Sequence, residues 1–258
     1  NASIAIESKQ HLFSSDEYLN RILVRTLEGE LLNTWGESGT EEGQLNGPNG
    51  ITFNSKDELI VSDHLNGRIQ KFTGDGKHLA TFGEPGSGDG QLNLPWEVCT
   101  DDEDNIYVAD WGNDRIVKFS SDGRFQANFG SSGRGDGELN APSSVCVDSD
   151  GYIYIADWGN QRIQIFNSSG DFVQSNRGQG TISKWAQDFL DTNVEEGQAR
   201  ANANLEPEIE FNTDDLHEES AHIEKYFWGP TSLAIDKDNH LFVIDSNRHR
   251  LQVFDIQG

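Results

Sequence analysis

The groups that could do chemistry are few. Seven histidines stand at positions 11, 64, 78, 217, 222, 240 and 249, with two cysteines, Cys99 and Cys146. Zinc needs about three or four converging nitrogen, sulfur or oxygen ligands, and these histidines share no repeated position. The run Asp148-Ser149-Asp150-Gly151 begins like a calcium loop. Tyr152 takes the next ligand position and no Glu closes the loop, so the run reads as a turn. Gly86 to Gly90 cannot cradle phosphate, because no helix start follows. Arg134-Gly135-Asp136 is an adhesion-like tripeptide in a glycine-rich link, and Asn167-Ser168-Ser169 is a glycosylation sequon only on a eukaryotic secretory route. The six tryptophans carry more weight. Indole offers a large contact area at low entropic cost, plus one donor.

The elements that position these residues are repeats. Ser62-Asp63-His64-Leu65-Asn66-Gly67-Arg68-Ile69 recurs as Ala109-Asp110-Trp111-Gly112-Asn113-Asp114-Arg115-Ile116, and again as Ala156-Asp157-Trp158-Gly159-Asn160-Gln161-Arg162-Ile163. A degraded copy runs from Ser15-Asp16 to Arg21-Ile22, and a late one from Ile244-Asp245 to Arg250-Leu251. The first three arginine intervals are each 47 residues; the last, 88, holds one insertion. Each repeat splits into four short β-branched or aromatic runs bounded by Gly, Asp or Asn turns. Four antiparallel strands per repeat of this length predict a β-propeller blade. The Asp and Arg, five apart at the ends of adjacent strands, read as a structural ion pair in every repeat.

The pattern of Pro, then Gly-Ile or Ser-Val, then Tyr-Val-Ala-Asp-Trp-Gly-Asn-Asp-Arg-Ile, closing with Phe-Gly, resembles the NHL-repeat family. The resemblance covers nearly all of the chain outside about residues 178–228. It implies an all-β, NHL-type propeller of four-stranded blades in a single domain, 1–258. Five blades are visible, at about 1–36, 48–83, 95–130, 142–177 and 230–258. Either one blade lies outside this chain or the ring closes with five, and the resemblance favours a six-bladed ring. It also implies which chemistry to look for. Peptide-amidating lyases similar to NHL proteins use histidines just after the blade proline, whereas here those positions hold Asn49, Trp96, Ser143 and Thr231. A lactonase-like propeller would hold a divalent cation in the channel, for which Glu97, Asn49 and Ser144 could offer oxygens. Some NHL domains bind RNA, which needs a basic funnel.

Strand alternation places the loop between second and third strands, and the link between blades, on one face of the ring. Trp96, Trp111, Trp158, Trp185 and Trp228 all gather there, and Trp35 alone falls at a core position. Trp111 and Trp158 either cover blade edges or form a recognition surface. The segment at about 178–228 is expected to be a helical insertion on that same face, with helices near 183–190, 194–203 and 214–226. Its aromatic Trp185 and Phe189 stand four apart, which predicts a docked arm. Cys99 and Cys146, equivalent on adjacent blades, are expected to be free thiols used in packing.

The net charge of -25 argues against a nucleic-acid partner, because counterion release needs clustered Lys and Arg. It argues equally against an anionic membrane. No apolar run reaches membrane-spanning length and no leader is visible, so a soluble chain of unknown location is expected. The reading is a non-catalytic scaffold for a protein, peptide or small neutral or cationic ligand. Its expected anchors are Trp96, Trp111, Trp158 and Trp185, with Asn49, Glu97, Ser143 and Thr231 as polar groups at the channel mouth. No catalytic residue and no cofactor is expected. The alternative is a metal-dependent hydrolase with a divalent cation in the channel.

Overall fold

Each repeat forms one small antiparallel sheet, because its short apolar runs are separated by residues that close turns. A computed structural model describes residues 3–180, 182, 184–206 and 215–256; the side chains of Lys184 and Trp185 fall outside this description. Blade 1 is Ile4–Ile6, Leu12–Asp16, Arg21–Arg25 and Leu31–Trp35. Blade 2 is Pro48–Phe53, Leu59–Asp63, Arg68–Phe72 and His78–Phe82. Blade 3 is Pro95–Thr100, Ile106–Asp110, Arg115–Phe119 and Phe125–Phe129. Blade 4 is Pro142–Val147, Ile153–Asp157, Arg162–Phe166 and Phe172–Asn176. Blade 5 has three strands, Pro230–Ile235, His240–Asp245 and Arg250–Asp255.

The blades pack in chain order through apolar layers. Phe13 and Ile22 of blade 1 meet Leu59, Val61 and Phe72 of blade 2. Ile60 and Ile69 meet Val98, Ile106 and Val108 across the next interface. Tyr107 and Ile116 meet Val145, Ile153 and Ile155, and Tyr154 and Ile163 meet Leu233, Leu241 and Val243. The links insert one wedge per interface: Leu45, Leu92, Leu139 and Phe227 are equivalent in the repeat, and all are fully buried.

The Asp–Arg pair ties each link to its blade. Arg68, Arg115, Arg162 and Arg250 donate Nε to Asp63, Asp110, Asp157 and Asp245 at 2.7, 2.9, 2.7 and 2.7 Å. The other guanidinium nitrogens donate to link carbonyls, for example Arg115 to Ser87, Gly88 and Gln91. Asp63, Asp110, Asp157 and Asp245 also accept the link amides of Asn46, Asn93, Asn140 and Trp228. A charge fully removed from water demands such saturation. The pair is therefore a clasp, and its repetition is architectural.

Two expectations need correction. The described residues form five blades, where a six-bladed ring was expected. In the long stretch between blades 4 and 5 the described residues form three helices, Lys184–Thr192 (α1), Val194–Ala201 (α2) and Leu216–His222 (α3). Among the described residues the arc is also open. Ile244 and Leu251 of blade 5 are 47 and 54% exposed, whereas their blade 4 counterparts Ala156 and Ile163 are buried. Ile4 and Ile6 on the free side of blade 1 are likewise exposed. Second, Phe189 does not anchor the helical stretch, being 53% exposed. α3 meets the blades through Arg248, which donates to the carbonyls of Ser220, Ala221 and Ile223 at the end of that helix.

Candidate functional site

Four inner strands begin with the same distortion. Register shifts just after Pro48, Pro95, Pro142 and Pro230. A bulge leaves a residue unpaired and re-aims its neighbours. Here the residues affected are those that follow the blade proline. Asn49, Trp96, Glu97 and Thr231 line the central cavity, whose volume is about 660 Å³. Ile51, Val145 and Leu233 supply apolar wall. Ser143, expected at the mouth, is turned away: it is 4% exposed and donates Oγ to the Pro230 carbonyl at 3.0 Å. Ser144 is also fully buried, and its Oγ accepts the Leu233 amide.

Among the described residues lining the cavity, Glu97 is the one carboxylate and none is Lys, Arg or His. The positions equivalent to Glu97 in blades 2, 4 and 5 hold Gly50, Ser144 and Ser232. Its side chain occupies space that Gly50 leaves free; a Cβ on Gly50 would lie 2.6 Å from Glu97 Oε1 and 2.6 Å from Glu97 Cα. Ser3 Oγ, from blade 1, donates to Oε1 at 3.0 Å. Burial among neutral groups pushes the Glu97 carboxyl up to about 7, against hydrogen bonds from Ser3, Val98 and Ile51 that favour the charged form.

The aromatic groups divide. The turn after each second strand is a 3-10 turn, and its first residue is His64, Trp111 or Trp158 in blades 2, 3 and 4. Trp96 is held between two such residues. His64 meets it edge-on with ring centres 5.1 Å apart, and Trp111 lies 5.9 Å away at an interplanar angle of 34°. His64 Nδ1 also reaches the Pro95 carbonyl at 3.1 Å. Trp158 stands apart from this series. The ring of His217 in α3 packs edge-on against it at 4.8 Å, and Gln161 bridges to the same histidine at 3.2 Å. The side chain of Trp185 lies outside the described residues. Trp35 packs on Phe72 at 5.0 Å, with Gly76 leaving room for the ring, as its core position predicted.

His64 was missed in the sequence. The signal was present: it occupies the register of Trp111 and Trp158 in the 47-residue repeat. Cys99 and Cys146 are both free and both line the cavity. Burial raises both thiols, well above the ordinary value for Cys99, so they are neutral packing groups and not nucleophiles. Among the described residues, no three His, Cys, Asp or Glu side chains converge as a metal site would need. No described helix is long and apolar enough to cross a membrane.

Radially stacked antiparallel blades, clasped link to blade around a lined central cavity, define a β-propeller. The NHL-repeat model matches at residues 45–72, 92–119, 139–166 and 227–254, the cores of blades 2 to 5. The chain belongs to the NHL-repeat propeller family. No curated protein matches the sequence significantly. Among solved structures, the chain is similar to a virginiamycin B lyase from Staphylococcus aureus, at 14% identity over 99% of this chain and 70% of that one, with a TM-score of 0.60. A catalytically inactive histidine-to-alanine variant of a virginiamycin B lyase from the same organism, with quinupristin, matches at 13% identity, 98 and 69% coverage, and a TM-score of 0.60. A protein of unknown function from Bacteroides thetaiotaomicron matches at 15% identity, 98 and 58% coverage, and a TM-score of 0.64. At these identities the likeness is one of fold.

Proposed function

We propose that this protein is a non-catalytic binding scaffold, and that its ligand seats at the mouth of the central cavity against Trp96. The observation that supports this reading most directly is the series His64–Trp96–Trp111, half-buried rings set beside a cavity with mixed polar and apolar walls. Ligand pockets have this composition, with few polar groups fixing orientation within apolar walls. Asn49, Glu97 and Thr231 are the polar groups here, and Trp96 and Trp111 the anchors. Trp158 belongs to the scaffold that holds α3.

The hydrolase alternative draws less support. A divalent cation in the channel would find one carboxylate, Glu97, and its suggested partner Ser144 already accepts a backbone amide. Nor does the likeness to virginiamycin B lyase favour a lyase here. The catalytically inactive variant of that enzyme carries a histidine-to-alanine change, and no described residue lining this cavity is a histidine.

The test is a fragment screen by protein-observed NMR, using neutral aromatic and saccharide fragments. Fragments that bind should lose about tenfold or more in affinity in Trp96→Ala, an anchor-type loss, and keep their affinity in Trp158→Ala. Binding that ignores Trp96 and follows Trp158 would overturn the assignment.

A further inference from the structure

A carboxylate with no counter-charge among the described residues is an unusual lining for a cavity. Burial of an ionised group is costly unless a partner offsets it, and the fold could have avoided the cost. The equivalent positions in blades 4 and 5 are serines, and Gly50 in blade 2 has no side chain at all. That glycine is what admits Glu97, since any Cβ there would collide with its Oε1. The donors within reach, Ser3 Oγ and the amides of Val98 and Ile51, are all neutral. Beside the carboxylate stand an indole, Trp96, and the aliphatic groups of Ile51, Val145 and Leu233.

We propose that the channel mouth takes a monovalent organic cation, an ammonium group carried on an apolar or aromatic body, with Glu97 as its counter-charge and Trp96 as its wall. This rests on the reading of the cavity as a ligand site and adds the ligand's class. One carboxylate matches one positive charge. A metal ion would call for several more oxygen donors, and a fully apolar ligand would leave Glu97 unpaired. Indole faces attract cations through their quadrupole. The acidic surface of the whole molecule raises the local concentration of any cation.

Binding is coupled to one proton. Near neutral pH the empty site is partly protonated, and an arriving ammonium displaces that proton: the neutral acid and the ammonium give a carboxylate–ammonium pair plus a proton released to solvent. Among the described residues, the other ionisable groups facing the cavity are Cys99, on the same strand, and Cys146, on the inner strand of blade 4. Both are held as neutral thiols by burial. The inner strands of blades 1, 2 and 5 bring Ser3, Asn49, Thr52 and Thr231 and no ionisable side chain. His64 lies behind Trp96, on the blade 2 turn.

The test is calorimetric titration of the whole protein with 2-phenylethylammonium and with 2-phenylethanol, its neutral near-isostere. At pH 8 the ammonium should bind about tenfold or more tightly than the alcohol, and Glu97→Gln should bring that ratio to about one. Below pH 7 the ammonium affinity should fall by about tenfold per unit, with close to one proton released at pH 6 as read in two buffers of different ionisation enthalpy. His64→Gln should keep this proton release. The buffer comparison uses the unmodified protein, so it stands even if the Glu97 variant folds poorly. Equal affinity for the two compounds, both dependent on Trp96, would overturn the cation assignment while leaving the ligand site intact. No binding of either would overturn both. Proton release that vanishes in His64→Gln would also sink the role of Glu97.

Discussion

Glu97 and Gly50 behave as one unit, although they sit on neighbouring blades at equivalent repeat positions. Replacing Gly50 with Ala puts a methyl group 2.6 Å from backbone Cα and from a carboxylate oxygen. Backbone must then move, at a cost of about 1–3 kcal/mol, visible as a lowered Tm. Glu97 also has a pH signature. Its folded-state value of about 7 lies above the ordinary 4.5, so the folded protein keeps a proton that the unfolded chain releases. That contribution is fully present below pH 4.5 and is lost as pH rises through about 7. Glu97→Gln has no such loss. Its Tm relative to wild type should therefore rise by a few degrees between pH 5 and pH 8, checked by calorimetry at both. An unchanged difference would mean Glu97 is solvated in the cavity. At this scale the sequence was informative about residue type and poor about direction. Trp96 and Glu97 follow a blade proline, and that placed them near the channel. Ser143 follows one too, yet it faces a backbone carbonyl. The bulge after the proline decides the aim, and no residue pattern announces a bulge.

Elements were far more legible. The 47-residue period and the Asp-to-Arg spacing located each blade, because a clasp must recur wherever a link must be held. Its energetic weight can be tested blade by blade. Arg115→Ala leaves Asp110 buried without its cation, and breaking a buried pair from one side costs about 3–5 kcal/mol. Arg21→Ala in blade 1 should cost much less, since that pair is more exposed and spans 3.1 Å; denaturant unfolding of the two variants gives the comparison. The contact of α3 with its blade was not legible. The aromatic spacing pointed to α1, whereas the residue that covers Trp158 is a histidine with no repeat counterpart. His217→Ala should expose Trp158, red-shift its emission and speed proteolysis between residues 178 and 228. Emission unchanged in this variant would argue that α3 does not cover the indole.

For the whole molecule, the acidic excess and the open arc set the terms. The charge of -25 is spread over turns and helices, which suits cationic or neutral ligands and disfavours phosphates. Blade number was the expectation most dependent on resemblance, and the described residues form five blades. Periodicity counts repeats that are present and says nothing of how an arc ends. The openness has a mutational signature. Ile163→Ala, inside the blade 4–5 interface, should cost about 2–4 kcal/mol. Its counterpart Leu251→Ala, on the free side of blade 5 and 54% exposed, should cost under about 1 kcal/mol by the same transfer argument. Comparable losses would show that the free side of blade 5 is covered in solution. The indole N–H spectrum of 15N-labelled protein reports on the cavity mouth. Titrated with 2-phenylethylammonium, the Trp96 and Trp111 signals should shift together and saturably, while those of Trp35 and Trp158 stay in place. Shifts centred on Trp158, or none at saturating ligand, would contradict the account.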